Sequence, residues 1–429
     1  MEIKVDKVKL GLDKFEMPGE IRKATPEDIS RIAEIVVLAK RMFWRHIYHH
    51  DEWIFQDLQV LPLCREYEEH PESLGKEVTV MKERLFFASD YLEGAHPNII
   101  NRMVETNLCH TVGYGEDEIS ESARERIRKA CECPGAEVHF LVGGTQTNAT
   151  VIDAVLKLYQ GVIAADSGHI AVHEAGAVEF TGHKVLPLKS ELGKIKAEDV
   201  EKYLRDFYED PSYTHMVNPG MVYISQPTEY GTLYSKAELE ALSRVCQEYK
   251  MPLYVDGARL AYALASPEND VTLADLARLT DVFYIGGTKC GALLGEAVVV
   301  PNPELIPHFF TIIKQHGALL AKGRLLGIQF DELFKDDLYL TIGKSAVNYA
   351  NEIKQALKQD GYRLYFDSPT NQVFFLLEKS KVDDLAKKVE FSNFERYDDE
   401  YIVARYCTSW ATTREDVDVL LEIIHEFAS

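Results

Sequence analysis

The chain of 429 residues is long enough for two or three domains, and 46% hydrophobic with 27% charged residues is typical of a globular protein. Its formal net charge of −22 argues against nucleic acid or an anionic membrane as a partner, because both bind surfaces rich in Lys and Arg. The seven cysteines fit neither a zinc site nor a disulfide framework, and residues 1–20 lack the apolar run of a signal peptide. We therefore expect a cytoplasmic protein without a bound metal.

Residues 1–84 differ from the rest and are predicted to form an N-terminal extension. Thr25-Pro-Glu-Asp28 is a helix start that follows a short predicted strand, and residues 21–67 resemble the opening of a GNAT-type acetyltransferase. The glycine-rich loop with which that family binds coenzyme A is missing. We expect a truncated remnant and linker without acetyltransferase activity. The histidines within His46–Glu52 are interpreted as structural or exposed rather than metal-binding.

From Phe86 onward, short apolar runs alternate with helical periods, which predicts an α/β domain over residues 85–325. Runs that are apolar throughout suit strands buried on both faces of a mostly parallel sheet. The predicted strands are Val138–Val142, Val162–Ala165, Met221–Ser225, Pro252–Val255, Val282–Ile285 and Ala297–Val300. Residues 326–429 are predicted to form a smaller α+β domain, with a helix from Ile342 to Leu357 at its start.

Two predicted strands end in a pair of glycines. Phe140-Leu-Val-Gly-Gly-Thr-Gln-Thr-Asn148 leads into a helix, so its backbone N–H groups and the helix dipole predict a seat for a phosphate, although a simple tight turn explains the glycines as well. Phe283-Tyr-Ile-Gly-Gly-Thr-Lys289 ends in a lysine, a residue that is usually solvated but is unusual directly after a buried strand.

Asp256 and His169 also follow apolar strands, where ligands bind in open α/β sheets. Taken singly, Asp256 is as well explained as a helix cap and His169 as a structural residue. Together, a phosphate seat, a strand-end Asp and a strand-end Lys are what a fold type I enzyme with pyridoxal 5′-phosphate requires. Lys289 would form the Schiff base, and Asp256 would keep the pyridine nitrogen protonated.

The stretch from about Leu85 to Phe427 resembles the threonine aldolase branch of the β-eliminating lyase family, and most closely its low-specificity and phenylserine aldolases. The motifs that carry the resemblance occur in the order of that family. They are Phe87-Ala-Ser-Asp90, Tyr114-Gly-Glu-Asp117, Gly143-Gly-Thr145, Ser167-Gly-His169, Asp256-Gly-Ala-Arg259, Gly286-Gly-Thr-Lys-Cys-Gly-Ala-Leu-Leu-Gly295 and Val403-Ala-Arg-Tyr-Cys-Thr-Ser-Trp410.

The resemblance implies a role for each matching residue. The group that stacks on or binds the cofactor is implied to be His169, Asp256, Arg259 and Lys289, with Gly144, Thr145, Gln146 and Thr288 around the phosphate. The substrate carboxylate is implied to be bound by Arg259 and Arg405 with help from Ser89. Tyr114 is implied to approach the cofactor from a neighbouring subunit, since the family forms homodimers or homotetramers with active sites at the interface.

One position departs from the pattern common in threonine aldolases. Many have a histidine near the substrate β-hydroxyl, whereas this chain has Glu229 within Gln226-Pro-Thr-Glu-Tyr-Gly231. Glu229 is predicted to act as a catalytic base, to hydrogen-bond the hydroxyl or to shape the pocket, and a solvated loop carboxylate remains an alternative.

We therefore expect an aldehyde-lyase that cleaves β-hydroxy-α-amino acids such as threonine, allo-threonine or a phenylserine to glycine and an aldehyde. Another reaction of the same cofactor, such as β-elimination, is the main alternative, because the fold does not determine which bond breaks. A non-catalytic protein that binds pyridoxal phosphate is a third hypothesis. The presence of Asp256, Arg259, Lys289 and Arg405 together argues against it.

Overall fold

The structure, a computed structural model, describes residues 84–428. The predicted GNAT-like segment and its histidine cluster lie outside these residues. The described strands are β1 (Leu85–Phe86), β2 (Glu137–Leu141), β3 (Gln160–Ala165), β4 (Lys184–Leu188), β5 (Asn218–Ser225), β6 (Leu253–Asp256), β7 (Val282–Gly286), β8 (Glu296–Val300), β9 (Gln372–Glu378), β10 (Val389–Glu390), β11 (Ser392–Arg396) and β12 (Tyr401–Cys407).

The α-helices of the described region connect and cover these strands, and none of them is long and apolar enough to cross a bilayer. They are α1 (Pro97–Thr106), α2 (Glu118–Ala130), α3 (Gly144–Val155), α4 (His169–Val172), α5 (Ala177–Phe180), α6 (Ala197–Glu209), α7 (Lys236–Glu248), α8 (Leu260–Ala265), α9 (Leu273–Leu279), α10 (Phe309–Gln315), α11 (Arg324–Leu333), α12 (Leu338–Thr341), α13 (Lys344–Gln359), α14 (Val382–Lys388) and α15 (Arg414–Ala428).

A seven-stranded sheet with the order β2-β8-β7-β6-β5-β3-β4 forms the centre of the larger part. Strand β8 is antiparallel to both of its neighbours, and the remaining pairs are parallel, which confirms the predicted α/β fold with a mostly parallel sheet. The carboxyl ends of β3, β5, β6 and β7 therefore meet at one edge. Because β8 runs the other way, its first residue, Glu296, lies at that same edge opposite Gly286.

Apolar side chains cover both faces of this sheet, which is why its central strands are nearly continuous apolar runs. On one face, Tyr223, Tyr254 and Tyr284 lie on three adjacent strands with ring centroids 5.6 and 6.4 Å apart, and all three are buried. A buried tyrosine requires a hydrogen-bond partner for its hydroxyl. These hydroxyls find their partners at the carboxyl edge of the sheet, as described below.

Strand β4 was not predicted from the sequence. It pairs with β3 alone at the outer edge of the sheet, so one of its sides needs no backbone partner. Lys184 and Pro187 are exposed and interrupt the apolar pattern, which an edge strand tolerates.

The C-terminal part contains a separate antiparallel sheet with the order β11-β12-β9, covered by α13 and α15. Strand β1 pairs with β10 of this part, so residues near 85 pack here and not on the large sheet. The predicted division at 325/326 falls inside α11, which packs along α2 of the larger part. We therefore propose that the small domain begins after α12 and takes β1 from the start of the described region.

Candidate active site

Lys289 lies in a cavity of about 310 Å³ at the carboxyl edge of the large sheet. The two glycines before it allow this position, because a Cβ on Gly287 would come within 2.6 Å of the Gly295 carbonyl oxygen. The predicted residues that line the cavity are Gly144, Thr145, His169, Glu229, Asp256, Arg259, Thr288 and Lys289. The topology thus brings together residues that are up to 145 positions apart (289 − 144).

The amine of Lys289 is poised for nucleophilic chemistry. Burial and then the nearby charge of Arg259 lower its pKa, while Asp90, Asp256 and Glu296 oppose that shift. Within residues 84–428 no carboxylate lies within ion-pair distance of the amine, and its closest ring contact is Tyr91, with 5.8 Å from Nζ to the centroid. A lowered pKa increases the fraction of neutral amine, the form that attacks an aldehyde.

Asp256, the last residue of β6, is held by hydrogen bonds to both carboxylate oxygens. Its Oδ2 accepts from the Tyr223 hydroxyl at 2.6 Å and from the Asn148 amide at 3.1 Å. Its Oδ1 accepts from the Ala258 backbone N–H at 2.9 Å and from the Tyr284 hydroxyl. Four hydrogen-bond donors therefore fix the position of this buried carboxylate. A carboxylate held in this way can accept a hydrogen bond from a bound heteroaromatic N–H.

His169 opens α4 directly after β3, and its ring is oriented by a buried acid. Its Nδ1 lies 2.7 Å from Oε1 of Glu174, which also accepts a 2.7 Å hydrogen bond from the Asn148 amide. Because Asn148 in turn donates to Asp256, a chain of hydrogen bonds joins the histidine to the strand-end aspartate. Neither Asn148 nor Glu174 was assigned a role from the sequence.

The predicted phosphate seat is the start of α3. The helix begins at Gly144, and the Gln146 side chain turns back so that its Oε1 accepts from the Val142 N–H at 3.2 Å. Gly144 and Thr145 of this helix start line the cavity, and the free N–H groups of a helix start are an arrangement that binds anions. Gln146 does not line the cavity.

Thr288 and Glu296 form a pair across the β7–β8 connection. The Thr288 hydroxyl donates to Glu296 Oε1 at 2.8 Å and accepts from the Gly295 N–H at 3.0 Å. Glu296 Oε2 accepts from the Gly287 N–H at 3.0 Å, and burial raises the pKa of this carboxyl to about 8. Sequence reasoning missed Glu296, although an acid directly before four apolar residues signals a buried ionisable group.

Glu229 lies on the opposite wall. Its Oε1 accepts from the His169 backbone N–H and from the Ser225 hydroxyl, both at 2.9 Å. Its Oε2 is buried without a partner among the described residues. Burial raises the pKa of Glu229, and the charge of Asp256 adds to the rise. The carboxylate is therefore held in the cavity wall and is not a freely solvated loop group.

The two predicted arginines have different environments. Arg259 forms a bidentate ion pair with the fully buried Asp90, at 2.6 Å from Nε and 3.0 Å from Nη2. Burial opposes ionisation of Asp90, but Arg259 and Lys289 outweigh it and hold the pKa of this carboxyl at about 2. Asn371 also donates to Asp90, at 2.9 Å. Asp90 belongs to a motif quoted above but received no role there.

Arg405 on β12 donates to the Gln372 side chain at 3.0 Å and to the Ala88 carbonyl at 3.3 Å. Its Nε and the hydroxyl of Ser89 are both buried without a partner in the described part of the chain. Orphaned polar atoms of this kind cost free energy unless a ligand or water completes them. Neither Arg405 nor Ser89 lines the cavity around Lys289, so both belong to its margin.

Tyr114 is not brought into the cavity of its own chain. It is 41% exposed, and its ring lies 4.2 Å from the Lys314 amine. Its backbone N–H donates to the Ala321 carbonyl oxygen at 3.1 Å. A single chain therefore gives Tyr114 no contact with the other predicted site residues.

Comparisons with known proteins agree with this geometry. The family profile described as Beta-eliminating lyase matches residues 87–374. The low specificity L-threonine aldolase of Pseudomonas aeruginosa is 31% identical over 335 residues, covering 77% of this chain and 94% of that protein. The corresponding protein of Saccharomyces cerevisiae is 25% identical over 295 residues, covering 66% of this chain and 72% of that protein.

Solved structures give the same fold. A Leishmania major threonine aldolase superposes with a TM-score of 0.78 at 43% identity, covering 80% of this chain and 100% of that one. An aspartate aminotransferase from Thermus thermophilus superposes with a TM-score of 0.59 at 15% identity, a similarity in fold alone, covering 80% of this chain and 91% of that one.

Proposed function

The chain belongs to the β-eliminating lyase family, and we propose that it is a pyridoxal-phosphate-dependent aldehyde-lyase that cleaves β-hydroxy-α-amino acids to glycine and an aldehyde. The observation that carries this proposal is the half-buried Lys289 in a cavity that also contains Asp256, Arg259 and the start of α3. The relatives named L-threonine aldolase support the choice of reaction within the family.

The residues present fit pyridoxal phosphate. A cavity of about 310 Å³ is at the lower end of the range for small-molecule sites. It offers a lysine with a lowered pKa, a fixed carboxylate and a helix start with free N–H groups. We propose that Lys289 binds the cofactor aldehyde and that Asp256 holds the proton of the ring nitrogen. His169 would lie against the ring, and Gly144, Thr145 and the Gln146 N–H would bind the phosphate with Thr288 nearby.

When bound, pyridoxal phosphate supplies an electron sink for the pair released from the broken Cα–Cβ bond. The protein then has to orient the substrate so that this bond can break. We propose that Arg405, Arg259 and Ser89 bind the α-carboxylate, and that the bidentate pair with Asp90 fixes the direction of Arg259. A guanidinium held in this way suits a carboxylate better than a flexible ammonium does.

Glu229 is our candidate for the group that takes the β-hydroxyl proton. The proton would move to Oε2, the oxygen that is buried and without a partner in residues 84–428, while Oε1 stays bonded to Ser225 and His169. Burial raises the pKa of Glu229, which makes the carboxylate a stronger base than a solvated glutamate. The aldehyde leaves as its carbonyl forms from this hydroxyl.

The proposed test is an absorption spectrum of the purified protein with the cofactor, followed by product analysis. We expect a visible band that is lost in Lys289→Ala and kept in the exposed-lysine control Lys335→Ala. Threonine should release acetaldehyde and glycine. A protein that takes up no cofactor contradicts the proposal, and pyruvate from serine without aldehyde from threonine replaces it with β-elimination.

The oligomeric state and location are also proposals. Apolar side chains on and after α1 are exposed, namely Ile100, Val104, Leu108, Val112 and Tyr114. Exposed apolar patches of this kind mark contact surfaces. We propose that this surface, the α1 surface, joins subunits of a homodimer or homotetramer and carries Tyr114 to a neighbouring site. A cytoplasmic location would keep the free thiols, such as Cys109, reduced.

A further inference from the structure

Glu296 is a buried carboxyl in the cofactor cavity that takes no part in the proposed reaction. It is the first residue of β8, and it lies between Leu141 at the end of β2 and Gly286 at the end of β7. The chain continues from Leu141 into the start of α3 and from Gly286 to Lys289. The carboxyl therefore stands between the proposed phosphate seat and the lysine, and its side chain lines the space that both share.

The Thr288 hydroxyl connects this carboxyl to the phosphate seat. A hydroxyl has one proton to donate and two lone pairs that accept. Here the proton is donated to Glu296 Oε1 at 2.8 Å, and a lone pair accepts from the Gly295 N–H at 3.0 Å. Thr288 lines the same cavity as Gly144 and Thr145, yet its hydroxyl has no proton left to donate to a phosphate oxygen.

A proton on Glu296 Oε1 would reverse this hydrogen bond. The carboxylic acid would then donate to the Thr288 oxygen, which has a second lone pair to accept it. The Gly295 N–H would keep its acceptor, and Glu296 Oε2 would keep the bond from the Gly287 N–H at 3.0 Å. The proton of the Thr288 hydroxyl would become free for a ligand in the cavity, with no other hydrogen bond of the pair lost.

The charge of a phosphate favours the same change. A phosphate monoester carries between about −1.5 and −2 charges at neutral pH. An oxygen of it that accepts from Thr288 would lie at most roughly 5.5 Å from Glu296 Oε1, since two O–H···O bonds separate them. Two anions at that distance repel each other strongly in a buried site. A neutral Glu296 removes this repulsion.

Other ionisable groups face Glu296 from β6, β7, the β7–β8 connection and α12. Within the described residues they are Tyr254, Asp256, Tyr284, Lys289, Cys290 and Tyr339. Burial raises the pKa of the three tyrosines well above the usual range and that of Cys290 to about 12, so these groups stay neutral. Burial also raises the pKa of Glu296 to about 8 and lowers that of Lys289. A test therefore has to separate Glu296 from Lys289.

We propose that Glu296 is a positioning residue for the cofactor phosphate, which binds the form of the protein in which Glu296 Oε1 carries a proton and the Thr288 hydroxyl donates to the phosphate. Where Glu296 is ionised in the free protein, binding of the cofactor takes up one proton from solvent at this carboxyl. The inference rests on the proposed function, because it requires pyridoxal phosphate in the cavity around Lys289. Pyridoxal, which lacks the phosphate, does not require the proton.

The test compares the Kd of pyridoxal phosphate with that of pyridoxal for the cofactor-free full chain. Both ligands carry the aldehyde that reacts with Lys289, so the ratio of the pyridoxal Kd to the pyridoxal phosphate Kd reports the phosphate alone. We expect this ratio to fall about tenfold from about pH 7 to about pH 9 in wild type, because Glu296 loses its proton over that range. The phosphate itself does not titrate there, since its second pKa is about 6.

Glu296→Gln should remove this pH dependence. The amide N–H can donate to Thr288 and the amide oxygen can accept from the Gly287 N–H, so the variant copies the protonated acid at every pH. We expect its ratio to change by less than about twofold over the same range. Glu137→Gln is the matched control, because Glu137 is an exposed carboxylate at the other end of β2, opposite Val300. It should keep the full decrease of wild type.

Thr288→Val and Thr288→Ser test the bridging hydroxyl. Valine has nearly the shape of threonine but no hydroxyl, so the ratio at about pH 7 should fall about tenfold, to the value of wild type at about pH 9. Serine keeps the hydroxyl and should restore both the ratio and its pH dependence. A valine variant with the ratio of wild type would show that Thr288 does not donate to the phosphate.

A proton count in wild type needs no variant. Calorimetric titrations in two buffers with different ionisation enthalpies give the protons taken up on binding. At about pH 8.5, pyridoxal phosphate should take up roughly 0.8 proton more than pyridoxal, which is the ionised fraction of a carboxyl with a pKa of about 8. Equal uptake for the two ligands would contradict the inference.

The outcomes separate this inference from the function on which it rests. A wild-type protein that binds neither pyridoxal phosphate nor pyridoxal contradicts the proposed function. A protein that binds both, with a ratio that is the same at about pH 7 and about pH 9, contradicts the role of Glu296 alone. The same holds if Glu296→Gln shows the pH dependence of wild type, since the titrating group is then a different one.

Discussion

Asp256 and Glu229 lie in the same cavity, but their carboxylates are bonded differently. Each oxygen of Asp256 accepts two hydrogen bonds, so this carboxylate is fully bonded before anything binds. By contrast, Glu229 Oε2 in the cavity lining, and Ser89 Oγ and Arg405 Nε outside it, are buried without partners among residues 84–428. Each such atom costs roughly 1–3 kcal/mol of folding free energy.

This difference follows from what the groups are proposed to bind. Asp256 is proposed to bind the cofactor, whereas Glu229, Ser89 and Arg405 are proposed to bind the substrate. A cofactor stays with the enzyme, and its electronic state depends on a fixed charge, so a rigid carboxylate is useful there. A substrate arrives and leaves at every turnover. Polar atoms that have no partner in the free protein gain one when the substrate binds, which returns the cost of burying them as binding energy. The comparison therefore predicts opposite effects of mutation on these two sets of residues.

The largest effect is expected for Asp256→Asn. The substitution removes the fixed negative charge and leaves the Tyr223 and Tyr284 hydroxyls with a weaker acceptor. We expect kcat for threonine to fall about 10³-fold, which corresponds to about 4 kcal/mol of transition-state stabilisation. The measurement is steady-state kinetics at saturating cofactor. Asp153→Asn, at the far end of α3 and paired with His316, is the control and should retain activity.

Asp90→Asn should have the second largest effect, on stability and KM together. The variant keeps an acceptor for Asn371 but removes the charge that pairs with Arg259, leaving a buried guanidinium uncompensated. We expect a loss of about 3 kcal/mol in unfolding free energy and a KM for threonine raised about tenfold. Chemical denaturation and kinetics measure the two. An unchanged KM would contradict the positioning of Arg259 by Asp90.

Ser89→Ala tests whether a buried polar atom without a partner serves substrate binding. Its hydroxyl has no hydrogen-bond partner in the described region, so its removal should leave the free protein as stable as wild type or more stable by up to about 1 kcal/mol. Substrate binding should nevertheless weaken about tenfold. Thermal unfolding and KM for threonine would be measured on one preparation. A destabilised variant with normal KM would show that Ser89 is structural.

The smallest effect is expected from Glu296→Gln, as a change in pH dependence. Its folded pKa of about 8 exceeds the usual 4.5, so the folded chain keeps a proton that the unfolded chain releases as pH rises. Wild type should therefore lose stability between pH 4.5 and 8 and no further from this group above pH 8. The variant should flatten that loss of stability, because it has no carboxyl to titrate at this position. Melting temperatures of both proteins across this range provide the check.

The sequence predicts the residues proposed to bind the cofactor better than those proposed to bind the substrate. Lys289, Asp256 and His169 each follow a buried strand, so the parallel order of the sheet alone places them at one edge. Asp90 and Asn371 lie on no such pattern, and their hydrogen bond joins residues 281 positions apart. Glu296 is at the site because β8 is antiparallel, and its apolar run does not reveal its direction.

Local sequence patterns also fail to predict structure at the edge of a sheet or at a subunit interface. Strand β4 contains Pro187 and Lys184 and is stable only as the last strand of the sheet. Tyr114 has a positive φ of 63° and no contact with the cavity of its own chain. Its proposed role depends on a second subunit. A second cleft is lined by Glu229 together with Phe394 and Tyr365 of the C-terminal part, a juxtaposition that no single motif encodes.

The pairing of β1 with β10 has a consequence for synthesis on the ribosome. Ser89 and Asp90 are translated long before the neighbours that hold their segment in place, β10 and Asn371. At roughly 5–20 residues per second, the 281 residues between Asp90 and Asn371 take on the order of 15–60 s. The residues proposed to bind the cofactor can assemble on the nascent chain during that time, whereas the segment with Ser89 and Asp90 is held in place only after Asn371 and β10 have been made.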